Sequence, residues 1–322
     1  MSTQATAVAH PNIALVKYWG KRDLALNLPA TSSLSVTLDQ FLTRTTVTWG
    51  VDQDEVVLDG AQAQGAVAQR VLDFLDLVAS DRPPCRVISG SNFPVAAGLA
   101  SSSSAFAALA LAASAAAGRA LEPAALSVLA RRGSGSACRS LWGGFVHWTR
   151  GERSDGLDSH GHPIQIPEPW GLRVVVAVVH AGPKAVGSTQ GMVRTRATSP
   201  VFPVFVAENE GLVLQAKQAV LARDFDALVG CMERSTTLMH ASMLTAVPSV
   251  RYLKPGSLAV LDAVDDLRAR GVACGWTMDA GPNVKVLCRA ADAAEVERSL
   301  NGLVRAVNVL GLGGPARLVE AP

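Results

Sequence analysis

The stretch Asn92-Phe93-Pro94-Val95-Ala96-Ala97-Gly98-Leu99-Ala100-Ser101-Ser102-Ser103-Ser104 sets a row of hydroxyls directly before an alanine-rich run, Ala105 to Ala117. The first amides of a helix have no partner inside the helix and carry the positive end of its dipole. Gly98 and the serines leave room for an anion to reach those amides, which suits a phosphate group. No Gly-Lys-Ser/Thr follows, so the pattern is not of the Walker type. An ordinary loop with a serine N-cap is the competing reading.

Four further clusters could carry chemistry. After the apolar run from Ile13 to Val16 comes Lys17-Tyr18-Trp19-Gly20-Lys21-Arg22-Asp23. Lysine offers a point charge suited to phosphate and tyrosine a directional hydroxyl, against the alternative of a solvated basic turn. Gly133-Ser134-Gly135-Ser136-Ala137-Cys138-Arg139-Ser140 exposes hydroxyls and amides beside an arginine able to grip phosphate with two nitrogens, or is a flexible linker. Gly187-Ser188-Thr189-Gln190-Gly191-Met192 is a weaker hydroxyl cluster. Asp279, ahead of Gly281-Pro282, projects a carboxylate from a tight turn, where aspartate also serves purely structural ends. His160 and His162 have the look of a metal pair, but no third ligand lies near them in sequence.

These residues need elements to hold them. Strand-like segments are expected at Ser33 to Leu38, Leu42 to Trp49, Val56 to Leu58, Cys85 to Ile88 and Phe145 to Trp148, with a hairpin signal at Asp59-Gly60. Val67, Val71, Phe74, Leu75 and Val78 recur at helical spacing, and Glu122-Pro123 opens a helix that Gly133 ends. The polar stretch Arg150 to Trp170 reads as a long hairpin or connector, dividing the chain into 1–168 and 169–322. Beyond it come a strand at Leu172 to Val179 and helices at Val204 to Arg223, Phe225 to Met243 and Ser257 to Arg270. A strand pair, Val272 to Met278 and Val284 to Leu287, flanks Asp279. The mixture is α+β rather than regular βαβ alternation.

Composition narrows the function. The 322 residues are 49% hydrophobic and 17% charged, with a formal charge of +2 and no Lys/Arg block, which argues against nucleic acid as a partner. Cys85, Cys138, Cys231, Cys274 and Cys288 form no Cys-x-x-Cys pair and fit reduced thiols in a cytoplasmic protein. Met1 to His10 lacks the features of a signal peptide, and Ala105 to Ala117 is too short to span a membrane.

Taken together and in order, the motifs resemble the GHMP kinase superfamily and, within it, the mevalonate diphosphate decarboxylases. The residues concerned are Pro11 to Ala14, Lys17 to Asp23, Leu28-Pro29 with Ser32 to Thr37, and Phe93 to Ser104. They continue through Ser136 to Ser140 with Gly143 to Phe145, Ser188 to Met192, and Asp279-Ala280-Gly281-Pro282-Asn283. The resemblance implies an α+β GHMP kinase fold: an N-terminal lobe like ribosomal protein S5 domain 2, a C-terminal α+β lobe, and a cleft between them. It implies that ATP phosphorylates the 3-hydroxyl of mevalonate 5-diphosphate, after which phosphate and CO₂ leave to give isopentenyl diphosphate.

By motif match, the resemblance implies catalytic roles for Asp279, as the carboxylate facing the hydroxyl, and for Lys17 beside it. Tyr18, Lys21, Ser134, Ser136, Arg139 and Ser188 would hold the substrate. Asn92, Gly98, Ser101, Ser102 and Ser103 would serve ATP, with Ser102 also a ligand of Mg²⁺. A homodimer is expected by analogy. A mevalonate 3-kinase or phosphomevalonate decarboxylase of the same family is the nearest alternative, and the presence of both Lys17 and Asp279 favours decarboxylation over it. A non-catalytic sensor on the same scaffold would have lost the acidic residue or the serine loop, and both are intact.

Overall fold

Seven residues rich in threonine, Thr43–Trp49, form a central strand of a six-stranded sheet, as β-branched side chains favour. The computed structural model describes residues 4–93, 101–166, 168, 170–182 and 185–320. In this first sheet the order is Arg317–Val319, Gln4–Ala9, Thr43–Trp49, Cys85–Ser91, Glu55–Leu58 and Ala61–Gln62. Glu55–Leu58 and Cys85–Ser91 run parallel, with the helix Gly65–Val78 between them in sequence. The helix Ser101–Ala116 packs on this sheet, and its Ala107, Ala108, Ala110, Ala112 and Ala113 are fully buried. Methyl-sized side chains let the helix backbone come close to the small Ala7 and Ala9 of the sheet.

A second sheet, in the order Gly161–Pro163, Phe145–Trp148, Ser33–Thr37 and Asn12–Val16, is antiparallel throughout. The third is Cys274–Met278, Val284–Arg289, Leu172–Val178 and Ala306–Leu310. Its inner strand Leu172–Val178 is apolar on both faces, as a strand covered on both sides must be. Val174 and Val176 join the core made with the helices Phe202–Ala222 and Phe225–Leu244, while Val175 and Ala177 face the core of Pro255–Ala269 and Ala293–Leu300. The first of these cores also takes in Ile13, Leu15, Leu34 and Val36 of the second sheet. The two long helices are therefore packed between a sheet of each half, so that side chains from both halves can meet at one place.

The α+β mixture agrees with expectation, and the Phe145–Trp148 and Gly161–Pro163 pair makes the long hairpin. Two local readings change. Ser101 to Ser104 are the first turn of the helix rather than loop; Ser104 Oγ donates to Ser101 O at 3.2 Å, a back-bond that suits serine inside a helix start. Ser188–Thr198 is also a helix, with a low-contrast sequence (STQGMVRTRAT) that gives no apolar stripe to read. The terminal strand Arg317–Val319 returns to pair with Gln4–Ala9 of the first sheet.

Candidate active site

Asp279 follows the strand Cys274–Met278 in a turn fastened from several directions. Gly281 N donates to Asp279 O at 2.8 Å, and Ser257 Oγ to Pro282 O at 2.6 Å. Asn283 exchanges two hydrogen bonds with the backbone of His180, 2.9 and 3.1 Å. The carboxylate is a quarter exposed. Its Oδ1 accepts from Lys17 Nζ at 2.8 Å and its Oδ2 from Lys285 Nζ at 3.3 Å. Burial alone would raise the pKa of Asp279, but the two ammonium groups outweigh it and hold the carboxyl far below its usual range.

Lys17 lies just beyond the strand Asn12–Val16 and is 1% exposed. Its Nζ also donates to Ala14 O at 2.8 Å. Burial pushes the ammonium down to about 8, against the pull of Asp279. The backbone of Lys17 is tied to both long helices: its N–H donates to Ser235 Oγ at 2.9 Å, and its carbonyl accepts from Asn209 Nδ2 at 3.1 Å. Asn209 is fully buried, spends its other bonds on Thr31, Ser32 and Ser235, and so fixes the strand end that carries Lys17. A hydrogen-bonded buried network of this kind holds one geometry because every alternative leaves a polar group unpaired.

A cavity of about 380 Å³ opens above this pair, lined by Tyr18, Lys21, Ser102, Ser134, Ser136, Arg139, Ser188 and Asp279 among others. Every residue expected to hold substrate is thus in its wall. Lys17 is not; it meets Asp279, which is. Arg139 is 2% exposed, held by Asn12 Oδ1 at 3.1 Å and Ser33 Oγ at 2.7 Å, and its guanidinium lies 5.5 Å from the Trp148 ring. Tyr18 packs its ring 4.6 Å from that of Trp148. Its hydroxyl is buried and has no hydrogen-bond partner among the described residues, a cost that a ligand oxygen would remove. Gly135 makes this packing possible, since a Cβ there would stand 2.6 Å from the Tyr18 hydroxyl.

The serine cluster divides. Ser102 lines the cavity and accepts from Ser134 Oγ at 3.2 Å. Ser101 and Ser103 do not line it, and Ser103 is fully buried. Asn92 ties the turn at 40–42 instead, accepting from Leu42 N at 2.8 Å and donating to Gln40 O at 2.7 Å. Gly98 lies outside the described residues. The ring centroids of His160 and His162 lie 4.1 Å apart with the rings tilted, and the strand pairing sets His147 opposite His162. Among the described residues no group of three or more His, Cys, Asp or Glu could hold a metal. The oxygen donors that do face the cavity include serine and threonine hydroxyls and the Asp279 carboxylate, a set suited to a hard cation that keeps most of its ligands from phosphate and water.

Several wall or floor residues escaped the sequence reading. Lys285 is 1% exposed within a valine-rich strand and carried no flag there. Arg70, on the helix Gly65–Val78, lines the cavity and donates to Gly133 O at 2.8 Å. Asn12 was legible only as part of a motif, and Asn209 sits in a helix where an isolated asparagine signals nothing.

A lysine just past a strand end pairs with a turn carboxylate across the cavity from a serine-started helix, and the fold that holds them is a GHMP kinase fold. Residues 9–161 match the diphosphomevalonate decarboxylase-like N-terminal domain, and residues 174–309 the mevalonate 5-diphosphate decarboxylase C-terminal domain. The chain belongs to the diphosphomevalonate decarboxylase family. It is 38% identical to diphosphomevalonate decarboxylase of Aspergillus fumigatus over 97% of this chain and 83% of that one. Among solved structures, the mevalonate diphosphate decarboxylase of Staphylococcus aureus superposes with a TM-score of 0.94 at 35% identity, covering 99% of both chains. MDDEF in complex with MVAPP, AMPPCP and magnesium gives 0.92 at 38% identity, again with 99% of both chains covered. No helix among the described residues is long and apolar enough to cross a membrane.

Proposed function

We propose that this chain catalyses the ATP-dependent decarboxylation of mevalonate 5-diphosphate to isopentenyl diphosphate, with release of ADP, phosphate and CO₂. The observation that carries the reading is the Asp279 carboxylate, clamped by Lys17 at 2.8 Å and opening onto a cavity walled by Tyr18, Lys21, Arg139 and four serines. In this reading Asp279 orients the tertiary 3-hydroxyl and takes its proton, and Lys17 holds the carboxylate in place. A carboxyl this acidic is a weak base, so it receives the proton as the new P–O bond forms rather than before it. That order suits a loose phosphoryl transfer, which depends on positioning and charge neutralisation more than on a strong nucleophile.

Arg139, Lys21 and Tyr18 grip the 5-diphosphate, with Ser134, Ser136 and Ser188 donating from the wall. Ser102 meets the ATP phosphates, with Asn92, Gly98, Ser101 and Ser103 assigned to the same arm by motif. Ser102 would also hold Mg²⁺, which when bound neutralises phosphate charge. Lys17, Lys285 and Arg139 supply a fixed cationic environment to the phosphate that departs during elimination. We place the division of the chain at 1–168 and 169–322, and the enzyme in the cytoplasm, consistent with five buried free cysteines. The homodimer rests on family analogy.

The test is an ADP-release assay with CO₂ detection on mevalonate, its 5-phosphate and its 5-diphosphate. Clear preference for the diphosphate, with CO₂ formed, supports the reading. ADP without CO₂ would instead favour a mevalonate 3-kinase, and CO₂ formed preferentially from the 5-phosphate a phosphomevalonate decarboxylase.

A further inference from the structure

Lys285 is the buried charge whose part in the chemistry has no counterpart in the sequence motifs. It sits in the strand Val284–Arg289 between Val284 and Val286, both fully buried. A strand that needed only packing would carry another aliphatic residue there, because an ammonium taken out of water is costly unless paired. Its Nζ lies 3.3 Å from Asp279 Oδ2 and 3.4 Å from Asn283 O. Lys17 has the opposite oxygen, Oδ1. Lys285 does not line the cavity, so its route to the substrate is through Asp279.

We propose that Lys285 is a positioning residue for the phosphorylation step, holding Asp279 by the oxygen that Lys17 leaves and fixing the carboxylate as an ionised acceptor. This rests on the role given above to Asp279. Two ammonium groups on two oxygens stop the carboxylate from rotating, whereas one would leave it a hinge. They also set the excess of positive charge at the floor: Lys17 and Lys285 against Asp279, with Arg139 close enough to act on it. His240, packed from the helix Phe225–Leu244, adds no charge near neutral pH, since burial pushes it down to about 4. In the step itself, the 3-hydroxyl oxygen bonds to the γ-phosphorus and the bond from that phosphorus to ADP breaks. The hydroxyl proton passes to Asp279.

The test uses the purified full chain with K285M and K285R, recording pH profiles of kcat and of KM for mevalonate 5-diphosphate and ATP. Removing one cation beside Asp279 should raise the acid limb of kcat by about 1–3 pH units. At neutral pH kcat should fall by about tenfold or more, with both KM values within about threefold of the parent. K285R should restore the acid limb. An unmoved limb in K285M, a limb moved as far in K285R, or a loss carried entirely by KM overturns the proposal. Should K285M not fold by circular dichroism, ¹³C-carboxyl aspartate labelling of the parent and K285R decides. Asp279 should stay ionised below the usual carboxylate range in both, and an ordinary titration in the parent overturns the proposal. A parent that forms no CO₂ from ATP and the diphosphate breaks the underlying reading; an active parent with an unmoved K285M breaks this inference alone.

Discussion

Around Ser102, Ser134 and Ser136 the cavity wall is mostly hydroxyls and small residues, with the Arg70 guanidinium beside Gly133, whereas around Asp279 it rests on charges shut away from water. The two ends would work differently. A serine hydroxyl exchanges a water hydrogen bond for one to a phosphate oxygen, worth about 0.5–1.5 kcal/mol each, so binding at that end is spread over many weak contacts. The Lys17–Asp279–Lys285 group is fixed before any ligand arrives, and removing its one carboxylate leaves two buried ammonium groups unpaired, where breaking a buried pair costs about 3–5 kcal/mol. Substitutions in the wall should therefore act on KM and substitutions in the floor on kcat.

That contrast can be broken in order of expected effect. Lys17→Met should lower kcat by about 1,000-fold, while Lys285 still balances Asp279 and the fold survives. Steady-state kinetics with a thermal melt checks both, and a rise in KM with kcat unchanged would place Lys17 in the wall instead. Arg139→Lys keeps the charge but loses the fork that spans Asn12 and Ser33. It should raise KM for the diphosphate by about 100-fold with a smaller effect on kcat. Gly135→Ala pushes on the Tyr18 hydroxyl and should raise the same KM by about tenfold. Ser102→Ala removes one hydroxyl from the ATP arm and should raise KM for ATP by about fivefold.

The floor also has a pH signature. With the Lys17 ammonium brought down to about 8 by burial, the charged and active form prevails below that pH and is lost as pH rises through it. The alkaline limb of kcat should therefore fall near pH 8 and move upward in Lys17→Arg, as a pH–rate profile will show.

The wall was far more legible in the sequence than the floor. Hydroxyls alternating with glycine, as in Ser134-Gly135-Ser136, stand out because such runs serve few purposes in a core. Asp279 was visible through its turn residues, and Lys17 through the cationic cluster around it. Lys285 was not, because alternation along Val284–Arg289 marks only which residues face one way, not that one of them meets a carboxylate. The same limit hid Asn209 and Arg70, which are single polar residues on otherwise ordinary helices. For the fold, the long apolar helices and strands were readable, while the helix Ser188–Thr198 and the return of Arg317–Val319 to the first sheet depend on tertiary pairing. Serine favours caps and turns, so a run of four reads as loop. Its place in the first helical turn comes from packing of the alanines that follow.

The central claim is that the floor performs the chemistry while the wall binds. Asp279→Asn separates the two most directly, with ADP and CO₂ formation and nucleotide affinity measured on the same purified protein. The account predicts ATP affinity close to the parent and turnover reduced by about 1,000-fold or more. Turnover within tenfold of the parent would contradict it.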